Sequence, residues 1–114
     1  MTFKQIDQFY INVYLPYQRT EFLCQLISEK YGEFGKMSEV DYARYGDKTL
    51  KQLKLLADQI AELGEFDETL ADGSREKQIV NLRAVGGLSW ADIAALLGGD
   101  PKAELKAFFR KGGK

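Results

Sequence analysis

Two glycine pairs divide the carboxyl-terminal part of the chain into three short segments. Gly86-Gly87 ends a stretch in which Ile79, Leu82 and Val85 recur at helical spacing, and Gly98-Gly99 ends the next stretch. Glycine adopts the left-handed backbone conformation without a steric penalty, so it commonly follows the last residue of a helix. This arrangement predicts three short helices joined by two tight turns.

Each of these segments begins at a residue type that caps helices. The side-chain oxygens of Ser74, Ser89 and Asp100 suit the N-cap position, where they accept a hydrogen bond from a backbone amide of the first turn. Pro101 follows Asp100, and proline is tolerated at the first helical position because its missing amide hydrogen would have no partner there. We expect the first of the three helices to cover about residues 75–85.

The amino-terminal residues fit two kinds of secondary structure. Thr2 and Gln5 have the spacing of a capping box, and apolar residues at three- and four-residue intervals then predict a helix over about 3–14. Residues 9–15 also alternate, with β-branched and aromatic side chains at every second position, as in a half-buried strand. Residues 3–15 therefore permit either element, and helix is favoured because no partner strand follows.

Two longer helices are predicted downstream. Pro16 ends the first element or opens the next helix, which covers about 17–31 and carries an apolar stripe of Phe22, Leu23, Leu26 and Ile27. The other helix covers about 48–63, with Asp47 as its cap and Gly64 as its stop. Its predicted apolar face consists of Leu50, Leu53, Leu56, Ala57, Ile60 and Leu63.

Together these patterns predict an all-α protein. An amino-terminal helical scaffold at 1–66 is followed by an acidic connection at 67–73 and a trihelical unit at 74–114. The acids of the connection lack the spacing of a metal-binding loop, so we expect a hydrated linker there. Residues 1–72 carry eight basic and thirteen acidic side chains, whereas residues 73–114 carry eight basic and four acidic. Any surface that faces phosphate is therefore expected in the carboxyl-terminal part.

A Gly-x-Ser-x-x-x-Ile-Ala-x-x-Leu-Gly string precedes the last predicted helix, formed by Gly87, Ser89, Ile93, Ala94, Leu97 and Gly98. With this string, residues 75–110 resemble the helix-turn-helix of bacterial transcription regulators and of the promoter-reading region of sigma factors. The chain departs from the family pattern after the turn. Gly99 and Glu104 occupy positions that are usually apolar, and Leu105 comes one residue late. The turn is therefore expected to be one residue longer.

The resemblance implies a small, sequence-specific DNA-binding transcriptional regulator whose last helix enters the major groove of double-stranded DNA. Lys102 and Lys106, near the start of that helix, would contact base edges. Phosphate contacts are expected from Arg75, Lys77, Ser89, Arg110, Lys111 and Lys114. A homodimer would supply the two-fold symmetry that such regulators use.

The chemistry of common enzymes is not indicated. The chain has no histidine, the side chain that most often acts as general acid or base near neutral pH. It also lacks the usual zinc, phosphate-loop and serine-nucleophile signatures. The single cysteine, Cys24, stands among apolar residues and is expected to be a small core residue. We therefore expect no enzymatic activity, no cofactor and no metal. Without a long apolar run or a secretion signal, a cytoplasmic location is expected.

A second class of function stays open, namely a non-enzymatic protein–protein interaction protein such as a mobile-element-type inhibitor or adaptor. Its support is the acidic amino-terminal part, which is rich in aromatic residues, a type favoured in interface hot spots. These residues are Phe9, Tyr10, Tyr14, Tyr17, Tyr31, Phe34, Tyr42 and Tyr45. The same rings also suit the core of a small protein.

Overall fold

The fold is built from helices, with no strand in the part of the chain that the structure describes. The computed structural model describes residues 1–31 and 46–112. The predicted all-α class is confirmed, and residues 3–15 are helical. In chain order the elements are α1 (Phe3–Phe9), a first π-helical turn (Tyr10–Tyr14), α2 (Leu15–Tyr31), α3 (Asp47–Glu68), α4 (Arg75–Val80), a second π-helical turn (Asn81–Val85), α5 (Trp90–Leu97) and α6 (Pro101–Arg110).

The first two helices form one continuous rod. The predicted capping box starts it, because Thr2 Oγ1 accepts from the Gln5 amide at 3.2 Å and Gln5 Oε1 accepts from the Thr2 amide at 2.7 Å. Pro16 does not break the rod, although proline lacks an amide hydrogen and crowds the preceding helical turn. The first π-helical turn ends at Tyr14, two residues before Pro16, and the amide of Leu15 donates to the Tyr10 carbonyl. This wider turn lets the helix continue through the proline.

An apolar stripe on a helix usually faces the core, but the described residues of the stripe on α2 are exposed. Phe22 is 61% exposed, and Leu23 and Leu26 are 44% and 45% exposed; the side chain of Ile27 is outside the described part. Tyr17, Thr20 and Cys24 of α2 are covered instead, in helical phase with Ile6, Phe9 and Val13 earlier in the rod. Because the rod is continuous, the buried residues near its start fix the rotation of α2.

Helix α3 is longer than predicted at both ends. It begins at Asp47, and Gly46 occupies the N-cap position, so Asp47 is not the cap. It also passes through Gly64 to Glu68, so the predicted stop is wrong. A glycine inside a helix costs about 1 kcal/mol relative to alanine. Burial of Phe66, whose ring stacks on Phe109 at 5.6 Å, outweighs that cost. The first two residues of the predicted connection are therefore helical.

One hydrophobic core joins the amino-terminal helices to the carboxyl-terminal ones. Helix α1 packs against the second π-helical turn and against α6. The buried core residues are Ile6, Phe9, Val13, Leu56, Leu63, Phe66, Leu70, Ile79, Val80, Ala84, Ile93 and Leu105. This core crosses the acidic segment 67–73, so α1 and α4–α6 are packed on each other. Within the described residues, none of the helices has both the length and the apolar character needed to cross a bilayer.

Candidate nucleic-acid interface

The carboxyl-terminal unit, residues 75–110, begins each helix at the predicted cap. Ser74 Oγ accepts from the Lys77 amide at 3.2 Å, and Ser89 Oγ accepts from the Asp92 amide at 3.1 Å. The Asp100 carboxylate accepts from the Ala103 amide at 3.1 Å, and Pro101 is the first residue of α6. These side chains satisfy amides that the helices leave unpaired, so the three helix starts are fixed locally.

The turn before α6 contains two consecutive residues in the left-handed region. Gly98 has a φ of 76° and Gly99 a φ of 70°, a conformation that residues with a Cβ rarely adopt. After this turn Leu105 is fully buried, at 0% exposure, whereas Glu104 is exposed. The leucine that comes one residue late against the family pattern therefore anchors α6 in the core.

Helix α6 presents a cationic face to solvent. Lys102, Lys106 and Arg110 recur every four residues, which places them on one side of the helix, and all three are exposed. Lys111 follows the helix and is also exposed. Lys114 lies outside the described residues. Four of the cations predicted to contact DNA thus lie together on or beside α6.

The start of α1 borders this cationic face. The ammonium nitrogen of Lys106 lies 5.3 Å from the centroid of the Phe3 ring, within the range of a cation–π contact. Phe3 in turn stacks on Trp90 of α5 at 5.8 Å between centroids. Phe3, Lys106, Phe109 and Arg110 line one shallow depression. The first helix of the scaffold therefore forms one border of the candidate surface.

Arg75 is held by protein groups. Its guanidinium contacts Glu104 through two hydrogen bonds, of 3.0 Å from Nε and 3.2 Å from Nη2. It also donates to the carbonyls of Leu97 and Gly98, both at 2.8 Å. Four of the five guanidinium donors are therefore engaged. The carboxylate of Glu104 is paired beside the cationic face, and the sequence alone did not show this.

Lys77 is likewise engaged within the protein. Its ammonium lies 3.3 Å from Asp67 Oδ2 and 3.5 Å from Asp72 Oδ1, and it donates to the Asp67 carbonyl at 3.1 Å. Burial alone would lower the pKa of Lys77, but the hydrogen bonds and charges of the two aspartates outweigh it and raise that pKa. Two acids of the predicted connection therefore act as counter-ions for the start of α4.

Ser89 is exposed at the start of α5, where its hydroxyl oxygen serves as the cap. Of the eight residues predicted for DNA contact, the seven that the structure describes separate into three groups. Lys102, Lys106, Arg110 and Lys111 share one region, Arg75 and Lys77 are engaged with acids, and Ser89 stands at a helix start.

Three residues that were not predicted as a group fasten α1 to the carboxyl-terminal unit. Asp7 Oδ1 accepts from Trp90 Nε1 at 2.7 Å and pairs with Arg83 Nη2 at 3.0 Å. Arg83 also donates to the Asp7 and Leu88 carbonyls and lies 5.1 Å from the centroid of the Trp90 ring. The only sequence signal was the indole N–H, a donor that needs an acceptor when it is packed inside a protein.

The pKa of Asp7 is lowered by these contacts. Burial acts in the opposite direction and would raise it. Hydrogen bonds from Trp90 and Gln8, together with the charge of Arg83, favour the ionised carboxylate and outweigh the effect of burial. Asp7 is therefore held as an anion between α1 and the carboxyl-terminal unit.

The Cys24 thiol and the acidic side chains were also considered as candidates for chemistry or metal binding. Cys24 is half-buried, and burial followed by the charge of Glu21 raises the pKa of its thiol, which favours the unreactive protonated form. In the described ranges, no three acidic or cysteine side chains come together in a way that would hold a metal ion.

The aromatic residues proposed for a protein interface are mostly covered where they are described. Phe9 is buried, and Tyr10, Tyr14 and Tyr17 are half-buried. Tyr10 and Tyr14 stack at 5.8 Å between ring centroids. The side chains of Tyr31, Phe34, Tyr42 and Tyr45 are outside the described part. The described rings thus contribute to internal packing.

Comparisons of the chain with protein-family models, curated proteins and solved structures found no match. The helix-turn-helix resemblance therefore depends on residues 87–98 and on the capped helices around them.

Proposed function

We propose that the protein is a small, sequence-specific DNA-binding transcriptional regulator whose α6 enters the major groove. Lys102 and Lys106 are assigned to base edges, because they occupy the first two turns of the helix that would lie in the groove. Arg110 and Lys111, at its carboxyl-terminal end, are assigned to phosphates, together with Lys114.

The observation that carries this proposal is the exposed cationic face of α6, next to a carboxylate that is already paired. Glu104 is the only acid in α6, and an unpaired carboxylate there would repel the DNA backbone. Its bidentate contact with Arg75 places a positive charge beside that carboxylate and offsets the repulsion. The one carboxylate carried by α6 itself is therefore paired beside the cationic face.

The positions of Arg75 and Lys77 refine the predicted contact set. Both residues have acidic partners in the folded chain, so recruiting them to phosphate would break ion pairs already made. We therefore assign Arg75 to positioning α6, and Lys77 to fixing the start of α4. Ser89 stays in the set as a phosphate contact, because its exposed hydroxyl can still donate a hydrogen bond.

The test is a fluorescence anisotropy titration of the full chain with a random-sequence duplex pool and with genomic fragments at about 50 mM salt. The three cations assigned to phosphates predict that log Kd rises with log salt concentration with a slope of roughly 2.7. Lys102→Glu with Lys106→Glu should abolish binding.

The matched control is Lys48→Glu with Lys54→Glu, which changes the net charge equally at two exposed lysines of α3. This variant should bind DNA almost as well as the wild type, because its charges lie outside the proposed interface. If the two double variants lost DNA affinity equally, the loss would reflect the overall charge of the protein and not the α6 face. A wild-type protein with no measurable DNA affinity at low salt would refute the proposal.

A further inference from the structure

Helix α2 exposes large apolar side chains on the face opposite its covered one. Phe22 is 61% exposed and Leu26 is 45% exposed, whereas Thr20 is only 7% exposed. A phenylalanine side chain has roughly 150–250 Å² to bury, so leaving most of it in water is unfavourable. Contiguous apolar side chains on an otherwise polar helix face commonly mark an interaction surface.

Two charged residues bracket this apolar pair on the same face. Arg19, Phe22, Leu26 and Glu29 are separated by three, four and three positions, so successive members are neighbours along the helix surface. Arg19 and Glu29 are both exposed. At 1.5 Å per residue, the four side chains form a stripe about 15 Å long, with a positive and a negative end. We call these four residues the α2 stripe.

We propose that the α2 stripe is a self-association surface, which pairs antiparallel with the α2 stripe of a second copy of this chain. In this register Phe22 packs against Leu26 of the second copy, and Arg19 pairs with Glu29 of the second copy. The two-fold axis generates each contact twice, as an isologous interface requires.

Charge complementarity indicates both the partner of the α2 stripe, a second copy of the chain, and the antiparallel direction of the two helices. Read in reverse, the α2 stripe is the electrostatic complement of itself, because a cation, two apolar residues and an anion become an anion, two apolar residues and a cation. A parallel pairing would instead place Arg19 opposite Arg19 and Glu29 opposite Glu29, which is repulsive. Only the antiparallel arrangement places opposite charges together at both ends.

The small area of this contact predicts a reversible dimer. One short helix pair belongs at the low end of specific interfaces, where complexes are weak or transient. The pairing would bring two carboxyl-terminal units together about a two-fold axis, as a palindromic site requires. Dimerisation through the α2 stripe does not depend on DNA binding. The solution mass can therefore contradict the dimer, and the DNA titration can contradict the proposed function, independently of each other.

The test is sedimentation equilibrium of the full chain from about 1 μM to about 1 mM. The mass should rise with concentration from that of the 12.9 kDa monomer toward twice that value. Phe22→Ser should weaken dimerisation by at least about tenfold, which corresponds to 1.4 kcal/mol. The matched control is Leu96→Ser, because Leu96 of α5 is 64% exposed and lies outside the α2 stripe. It should leave the dimer constant unchanged.

Charge reversal tests the register. Arg19→Glu and Glu29→Arg should each weaken the dimer, and the double variant should restore it, because the swapped pair has the same complementarity. Circular dichroism melting verifies that each variant is folded. A wild-type monomer across the whole range would overturn the proposal. So would equal effects of Leu96→Ser and Phe22→Ser, or a double charge variant as weak as the single ones.

Discussion

The guanidinium of Arg75 holds the carboxylate of Glu104 through two hydrogen bonds, 29 residues apart in sequence. The same side chain donates to the carbonyls of Leu97 and Gly98 at the end of α5. A cation at this position also compensates the negative end of the helix dipole. One arginine at the start of α4 therefore joins the end of α5 to α6, and it fixes the direction in which the cationic face points.

Replacing Arg75 by lysine should destabilise the protein although the charge is kept. An ammonium group cannot reproduce the planar fork that contacts a carboxylate and two carbonyls together. The side chains of Arg75 and Glu104 are 42% and 41% exposed, so their ion pair alone contributes little. Including the carbonyl contacts, we expect a loss of about 1–2 kcal/mol, measured by urea denaturation. Glu104→Gln keeps the contacts of Arg75 with the two carbonyls and should lower the stability less. An equal loss of stability in the two variants would show that the carbonyl contacts contribute nothing beyond the ion pair.

The salt dependence of DNA binding should separate a positioning residue from a phosphate contact. Arg110→Ala should lower the slope of log Kd against log salt concentration by about 0.9, because one fewer counterion is released. Arg75→Ala should weaken binding with little change in that slope, because the charge of Arg75 is already paired with Glu104. Anisotropy titrations at several salt concentrations measure both. A slope reduction as large for Arg75→Ala as for Arg110→Ala would make Arg75 a phosphate contact.

Asp7→Asn should remove a pH-dependent part of the stability. A carboxyl whose folded pKa is lowered contributes stability that is present above its unfolded pKa of about 3.9 and is lost as the pH falls through the folded pKa. The variant should therefore be less stable than the wild type at neutral pH, by about 1–3 kcal/mol. The difference should shrink below about pH 4.

Urea denaturation at pH 7 and near pH 3 measures this difference. Asp58→Asn, at an exposed position on α3, is the matched control, and its effect should stay within about 0.5 kcal/mol. A stability difference between wild type and Asp7→Asn that is the same at both pH values would show that Asp7 acts only as a neutral acceptor.

The parts of the fold that were predictable depend on local sequence. Ser74, Ser89 and Asp100 cap helices through amides three residues away, so the signal lies within one turn. The exposed cations of α6 follow from their four-residue spacing in the same way. In contrast, the contact between Asp7 and Trp90 spans 83 residues. No spacing pattern encodes it, because it depends on how α1 docks.

The rotation of α2 about its own axis was also not predictable from the local sequence. Phe22, Leu23 and Leu26 are apolar, and the sequence alone favoured turning them inward. The rod is instead oriented by Ile6 and Phe9, which are 0% and 3% exposed near its start. A hydrophobic pattern identifies a helix more reliably than it identifies which face is buried, since packing elsewhere in the chain selects the face.

Gly87→Ala should be among the most destabilising small substitutions in the chain. Gly87 has a φ of 68°, and a Cβ placed there would lie 2.6 Å from two carbons of the Tyr10 ring. That ring stacks on Tyr14, so it cannot move without disturbing the packing of the first π-helical turn. Gly73 is the matched control, because its φ is 75° but a Cβ would meet nothing within 4 Å. Gly73→Ala should therefore cost only the left-handed strain, about 1–2 kcal/mol, and Gly87→Ala should cost clearly more. Urea denaturation compares the stabilities of the two variants.

Adding Tyr10→Ala to Gly87→Ala should remove part of the excess loss of stability, because the clashing ring is then absent. Equal losses of stability for the two single glycine variants would show that Tyr10 exerts no steric constraint.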